Sequence, residues 1–359
     1  MKIQENVPLA PQTTLGVGGA ARFFIEAENE KDIVEVIAFA RKRNFPLYVF
    51  GSGSNVLVPD AGIAGVVLKI AMNGITIEDA DANTMLIADA GASWDAVVDE
   101  AGARALFGIE NLAGIPGTAG AAVVQNIGAY GAELSEIFEY ADVLDARNGV
   151  RRRIMREEAA FAYRSSFFKQ HPELIIVKVA LMLTREAAPN LSYTDVARAS
   201  DAGVPLTTPA EIARAIRAIR AAKFPFADGE GTAGSFFKNP VVTGAAAAAL
   251  SARHPGLPVF KEENGQAKLS LAWLLDHGLS LSGYSNGTVR LYENQPLVFV
   301  ARRGATARDV EALARDVAAR VQNAFGITVE REVETFGSRT ASPARKNIFG
   351  RIFSRLIHS

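Results

Sequence analysis

The chain has 359 residues, of which 49% are hydrophobic and 21% charged, with a formal net charge of −1 and no cysteine. This length and apolar content predict a sizeable core divided into two or three domains. The near balance of charge, with basic residues dispersed through the body, leaves no field strong enough to hold nucleic acid, and the missing thiols exclude disulfides, thiolate catalysis and sulfur-ligated metal. His171, His254, His277 and His358 lie far apart without ligand spacing, so no metal site is expected. The first residues, MKIQENVPLAPQTTLGVGG, lack an apolar core, and no stretch reaches the length of a membrane span. A protein neither exported nor membrane-spanning is expected, with the cytoplasm as its compartment.

In chain order, Phe23 to Ala27 reads as a strand, and Lys31 to Arg43 places Ile33, Val34, Ile37 and Ala40 on one helical face. A strand at Pro46 to Phe50 leads into the loop GSGSN, Gly51 to Asn55, followed by three apolar segments and a helix from Ser93 to about Leu106. A glycine-rich run from Gly114 to Gly131 interrupts the pattern. Beyond it, Ala141 to Ala146 and Leu174 to Leu183 read as strands around a short helix near Glu157 to Phe161. A boundary is expected near Glu186 to Pro205. Thr208-Pro209-Ala210-Glu211 then forms a capping box with proline at the first helical position, opening a helix to about Phe224. Ala245 to Ala249 is read as helix, a second capping signature at Thr306 to Asp309 opens a long helix ending at Gly326, and Thr328 to Phe336 is expected to be a strand.

The glycine loops carry the first chemical signal. GSGSN follows a strand and brings small residues whose backbone amides and hydroxyls suit a pyrophosphate, although a tight turn alone explains such a loop. GIPGTAGAAVVQNIGAYG puts Gly114, Gly117, Gly120, Gly128 and Gly131 into eighteen residues, too dense for a helix or strand interior without a reason such as a flat ligand against the backbone. Neither loop reads GxGxxG into a helix, which disfavours a Rossmann site.

The segments GSGSNVLV, GIPGTAGAAVVQNIGAYGAE, FAYRSSFFK and AGSFFKNP occur in an order and spacing that resembles the UDP-N-acetylenolpyruvoylglucosamine reductase family, from about Thr14 to Phe336. LSYTDV, Leu191 to Val196, resembles the loop of the family type with a substrate-covering tyrosine, here Tyr193. The resemblance implies an α+β protein: an FAD-binding domain related to vanillyl-alcohol oxidase, made of two α+β subdomains at residues 14–185, a linker with the tyrosine loop at 186–205, and an α+β substrate-binding domain at 206–337. It also implies a cytoplasmic flavoenzyme of cell-wall synthesis, serving cell shape and division, that uses noncovalent FAD and NADPH to reduce an enolpyruvyl ether to a lactyl ether.

Reduction of a double bond conjugated to a carboxylate needs a hydride donor, stabilisation of the enolate and a proton donor. By resemblance, Ser235 is the proton donor, Arg164 pairs with the carboxylate and enolate, and Glu332 orients substrate or assists proton relay. Glu330 shares the strand face expected for Glu332 and is its natural rival. Tyr193, Lys223, Asn239 and Gln295 match positions that hold the UDP-sugar. Gly51, Ser52, Gly53, Ser54 and Asn55, the loop with Gly117, Gly120, Asn126 and Gly128, and Arg220 are the expected FAD contacts. A flavin oxidase sharing the glycine loops and a non-enzymatic UDP-sugar-binding protein are the rival readings.

The tail, residues 338–359, lies beyond the resemblance and carries Arg339, Arg345, Lys346, Arg351 and Arg355 with no acidic residue. On a helical wheel Ile348, Phe349, Ile352, Phe353, Leu356 and Ile357 fall in one half. An amphipathic helix that packs on its own domain, a disordered tail, and a weak contact with an anionic membrane surface or a wall-synthesis protein are all compatible with this pattern.

Overall fold

The computed structural model describes residues 1–80, 83–187, 189–223, 229–338 and 341. The chain opens with a four-stranded sheet in the order Gln4–Pro8, Ala20–Ala27, Ile63–Ile70, Leu47–Phe50. The first pair is antiparallel and the other two are parallel, joined through the helix Glu30–Arg43. That helix buries Ile33, Val36, Ile37 and Ala40, and Asn44 ends it in the left-handed conformation.

An antiparallel five-stranded sheet follows in the order Arg151–Met155, Phe138–Asp145, Leu174–Thr184, Asn83–Asp89, Ile75–Ala80. Both sheets and the helices Trp94–Ala103 and Ala119–Gln125 share one core, in which Trp94 and Phe138 are fully buried. The helix Pro209–Lys223 packs into this same core through Ile212, Ala213, Ala215 and Ile216. The helix therefore belongs by contact to the first half of the molecule.

The second half has its own core around Phe236, Phe237 and Phe299, between two antiparallel three-stranded sheets and the helix Ala307–Phe325. Its first sheet runs Gly231–Ser235, Gln295–Ala301, Val289–Tyr292, and its second runs Val241–Thr243, Gln266–Leu269, Val259–Lys261. Glu334–Thr335 leaves this half and pairs in parallel with Val56–Leu57, just after GSGSN.

Three expectations about local structure need correction. Glu157 to Phe161 is not a helix: Ala160 takes a left-handed φ of 41°, and the short helix is Phe167–Gln170, capped by Ser166. The glycine run does contain a helix, Ala119–Gln125, because a Cβ on Gly120 would stand 2.9 Å from the Ala90 Cβ, so glycine there permits close packing. Thr328 to Phe336 is not a continuous strand: Lys238 N–H donates to the Glu330 carbonyl, Glu332 N–H to the Phe236 carbonyl, and Glu334 N–H to the Asn55 carbonyl. The segment is thus shared between partners in both halves.

Candidate active site

Between the two cores lies a cavity of about 710 Å³. The first half lines it with Ser54, Asn55, Gly117, Gly128, Arg164 and Arg220, and the second half with Ser235 and Glu332. A smaller cavity of about 240 Å³ holds Gly51, Ser52, Gly53 and Gly120, and Ser54, Asn55, Thr118, Ala121 and Gln125 line both.

Arg164 sits at the tip of a tight turn closed by the Ala162 to Ser165 bridge, with a φ of 53° that a side chain seldom adopts. Its Nε donates to Glu332 Oε1 at 2.8 Å and its Nη2 to the Gly128 carbonyl at 2.7 Å. A Cβ on Gly128 would come within 3.0 Å of the guanidinium, so the fork is seated where only a glycine leaves room. Gln125 Nε2 also donates to Glu332 Oε1 at 3.4 Å, while Lys169 Nζ donates to Gln125 Oε1 at 2.7 Å and pairs with Glu334 at 2.9 Å. Glu330 turns the other way: its side chain is 73% exposed and pairs with Lys238. The expected sharing of a face fails because this stretch lacks strand geometry.

Ser235 ends the strand Gly231–Ser235, whose pairing with Gln295–Ala301 slips between Thr232 and Ser235. Such a bulge re-aims the side chain that follows it, and Ser235 lands on the cavity wall. Arg220 donates to the Gly114 carbonyl at 3.0 Å, and its burial pushes its pKa below the usual arginine value. Burial likewise raises the pKa of the Tyr130 and Tyr163 hydroxyls above the usual tyrosine value.

The expected sugar-binding residues lie apart from this wall. Tyr193 is 43% exposed and packs edge-on against Tyr130 at 5.2 Å. Lys223 pairs with Asp195 at 2.5 Å. Asn239 accepts from Leu271 N–H and borders a separate cavity of about 560 Å³ with Tyr163 and Lys238. Gln295 keeps its Oε1 buried without a partner among the described residues. Asn126 is spent on the fold: it is the left-handed end of Ala119–Gln125, donates to the Ala162 carbonyl and accepts from Ser135 N–H. Sequence reasoning did not single out Gln125, Lys169, Tyr130 or Asp195, although each sits inside a quoted motif.

Residues 21–154 match the family profile described as "FAD binding domain", and residues 225–336 match that of "UDP-N-acetylenolpyruvoylglucosamine reductase, C-terminal domain". The UDP-N-acetylenolpyruvoylglucosamine reductase of Pseudomonas aeruginosa is 39% identical over 335 residues, covering 92% of this chain and 98% of that protein. The chain belongs to the UDP-N-acetylenolpyruvoylglucosamine reductase family. The reductase of Chromobacterium violaceum is 37% identical over 92% of this chain and 98% of its own length. The crystal structure of the Thermus caldophilus reductase superposes with a TM-score of 0.65 at 26% identity, covering 94% of this chain and 99% of that one.

The reductase-family site fits FAD on its own geometry. Ser52 Oγ is buried with no partner among the described residues, an acceptor and donor left over by the fold. Gly117 has a φ of 148°, and a Cβ there would meet nothing nearer than Ser54 Oγ at 3.5 Å, so its backbone faces open cavity. Gly53 serves the fold instead: a Cβ would strike the Gln12 carbonyl at 2.5 Å and the Phe50 ring at 2.8 Å. Among the described residues no group of three or more His, Asp or Glu is placed to hold a metal, and no helix is long and apolar enough to cross a membrane.

Proposed function

We propose that the chain uses NADPH to reduce the enolpyruvyl ether of UDP-N-acetylenolpyruvoylglucosamine to UDP-N-acetylmuramate, a cytoplasmic step of peptidoglycan precursor synthesis that serves cell shape and division. Family membership over nearly the whole chain supports the reading. The observation that carries it is the convergence of Ser235, Arg164 and Glu332, from three distant segments, on one cavity with the glycine loops.

FAD, when bound, would supply the hydride, with NADPH as the reductant that restores it. Ser52, Ser54 and Asn55 and the backbone at Gly51 and Gly117 would hold it noncovalently, and neither glycine loop has the histidine or cysteine of the usual protein–flavin bond. Arg164 presents two donors in a fixed fork to the substrate carboxylate and to charge developing on the enolate. Glu332 holds that fork by its 2.8 Å bond and is itself held by Gln125. Ser235 delivers the proton to carbon. Tyr193 covers the sugar nucleotide, while Lys223, Asn239 and Gln295 bind it. The basic tail gives weak, salt-sensitive contact with an anionic membrane face.

Anaerobic stopped-flow separates the two half-reactions. Ser235→Ala and Glu332→Gln are expected to keep flavin reduction by NADPH near wild type and to slow reoxidation by the enolpyruvyl substrate on the order of 10² to 10⁴-fold. Equal slowing of both halves would remove these roles.

A further inference from the structure

The tyrosine loop is already seated on the first half of the molecule. Asn111 Nδ2 donates to the Asn190 carbonyl at 2.8 Å, Asn190 Nδ2 donates to the Gly131 carbonyl at 2.8 Å, and the Tyr193 ring meets the Tyr130 ring at 5.2 Å. The hairpin turn receiving the loop is Tyr130-Gly131, with φ of 50° and 80°, a rigid two-residue turn. Just past the loop, Asp195 stands in the first turn of Thr194–Asp201 and reaches Lys223, the last residue of Pro209–Lys223. The Asp195 Oδ2 to Lys223 Nζ distance is 2.5 Å, and the ammonium also lies 5.6 Å from the Tyr130 ring centroid.

We infer that Asp195 is a specificity-determining residue: an internal anion that occupies Lys223 and must be displaced by the diphosphate of an incoming nucleotide. The inference rests on the sugar-nucleotide reading of the site. An ammonium held at 2.5 Å by a carboxylate has its strongest interaction taken. A ligand therefore gains from Lys223 only what exceeds the Asp195 pair, which a diphosphate with more charge and more acceptor oxygens can supply and an uncharged nucleoside cannot. A purely local role for Asp195 is poorly served by its other basic neighbour: Arg198 lies 3.8 Å away and its side chain is 76% exposed.

The test is calorimetric titration of the FAD-loaded protein with UDP and with uridine. Replacing the carboxylate by an amide in Asp195→Asn is expected to tighten UDP about two- to fivefold, the range of a partly exposed ion pair, and to leave uridine unchanged. Asp195→Ser carries the same expectation, and Asp195→Glu, which restores the anion, should bind UDP as wild type does. Unchanged or weaker UDP binding in Asp195→Asn and Asp195→Ser would overturn the inference, as would equal tightening of UDP and uridine, which reports a loosened lid rather than a displaced anion. If the wild-type protein binds no UDP, the sugar-nucleotide reading fails and the inference falls with it.

Discussion

Arg164 is held by a left-handed backbone, a carboxylate and a carbonyl at once. Strain of this kind persists where the surroundings over-determine it, and Gly128 is the weakest point of the enclosure. In Gly128→Ala the new methyl would press on the Glu133 side chain at 2.9 Å and on the Arg164 guanidinium at 3.0 Å. The expected result, counted per bound flavin, is reoxidation by the enolpyruvyl substrate slowed at least about tenfold, since small misplacements of a positioned group are costly. An unchanged reoxidation rate would show that the fork tolerates displacement. Side-chain identities here were legible because they sit in motifs, but their orientation was not. Glu330 and Glu332 are indistinguishable on a two-residue period, and only their non-local partners, Lys238 and Arg164, separate them. Ser52 and Gly53 look equivalent in GSGSN, yet one leaves a buried hydroxyl unpaired and the other avoids the Gln12 carbonyl.

At the scale of elements, signals confined to a few residues read true. Thr306 and Asp309 form the expected capping box of Ala307–Phe325, and Thr208 and Glu211 exchange bonds at the start of Pro209–Lys223. The helix wrongly placed at Glu157 to Phe161 failed because a local turn there ends in the left-handed Ala160, and the strand expected at Thr328 to Phe336 failed because its backbone partners are set by tertiary contacts rather than by periodicity. The sequence also could not disclose a second cap on Ala307–Phe325. Asp60, from the first half, accepts from Ala307 N–H at 2.7 Å and from Arg308 N–H at 3.0 Å. A carboxylate at a helix N-terminus satisfies orphan donors and meets the positive end of the dipole. Asp60→Ala is therefore expected to cost about 1 to 2 kcal/mol of stability, more than a surface substitution. Because the bond joins the two halves, differential scanning calorimetry should also show the second half melting earlier. A single transition at the wild-type temperature would deny Asp60 a role in coupling them.

At the scale of the whole molecule, the α+β class and the two-part order of the chain followed from the alternation of elements and the four motifs, while the way the halves interlock did not. Segments cross between them: Thr14 donates to the Thr232 carbonyl at 2.6 Å, and Glu334–Thr335 pairs beside GSGSN. Past that strand, Ala341 lies against the first half: it is buried, donates its N–H to the Leu47 carbonyl at 2.7 Å and lines the smaller cavity. The amphipathic pattern at Asn347 to His358 lies outside the described residues. Its proposed lipid contact must therefore be tested without disturbing Ala341, by ending the chain after that residue. The removed piece carries Arg345, Lys346, Arg351 and Arg355, each of which adds about 1 kcal/mol of attraction near an anionic surface at low salt. The full chain is expected to sediment with phosphatidylserine-containing vesicles at low ionic strength and to be released as salt approaches about 0.5 M, because the Debye length then falls well below its physiological value of about 8 Å. The shortened chain should stay in the supernatant at every salt concentration while keeping its flavin and both half-reactions. Equal sedimentation of the two chains would leave the tail without a membrane role, and loss of flavin from the shortened chain would instead assign it to the FAD-binding half.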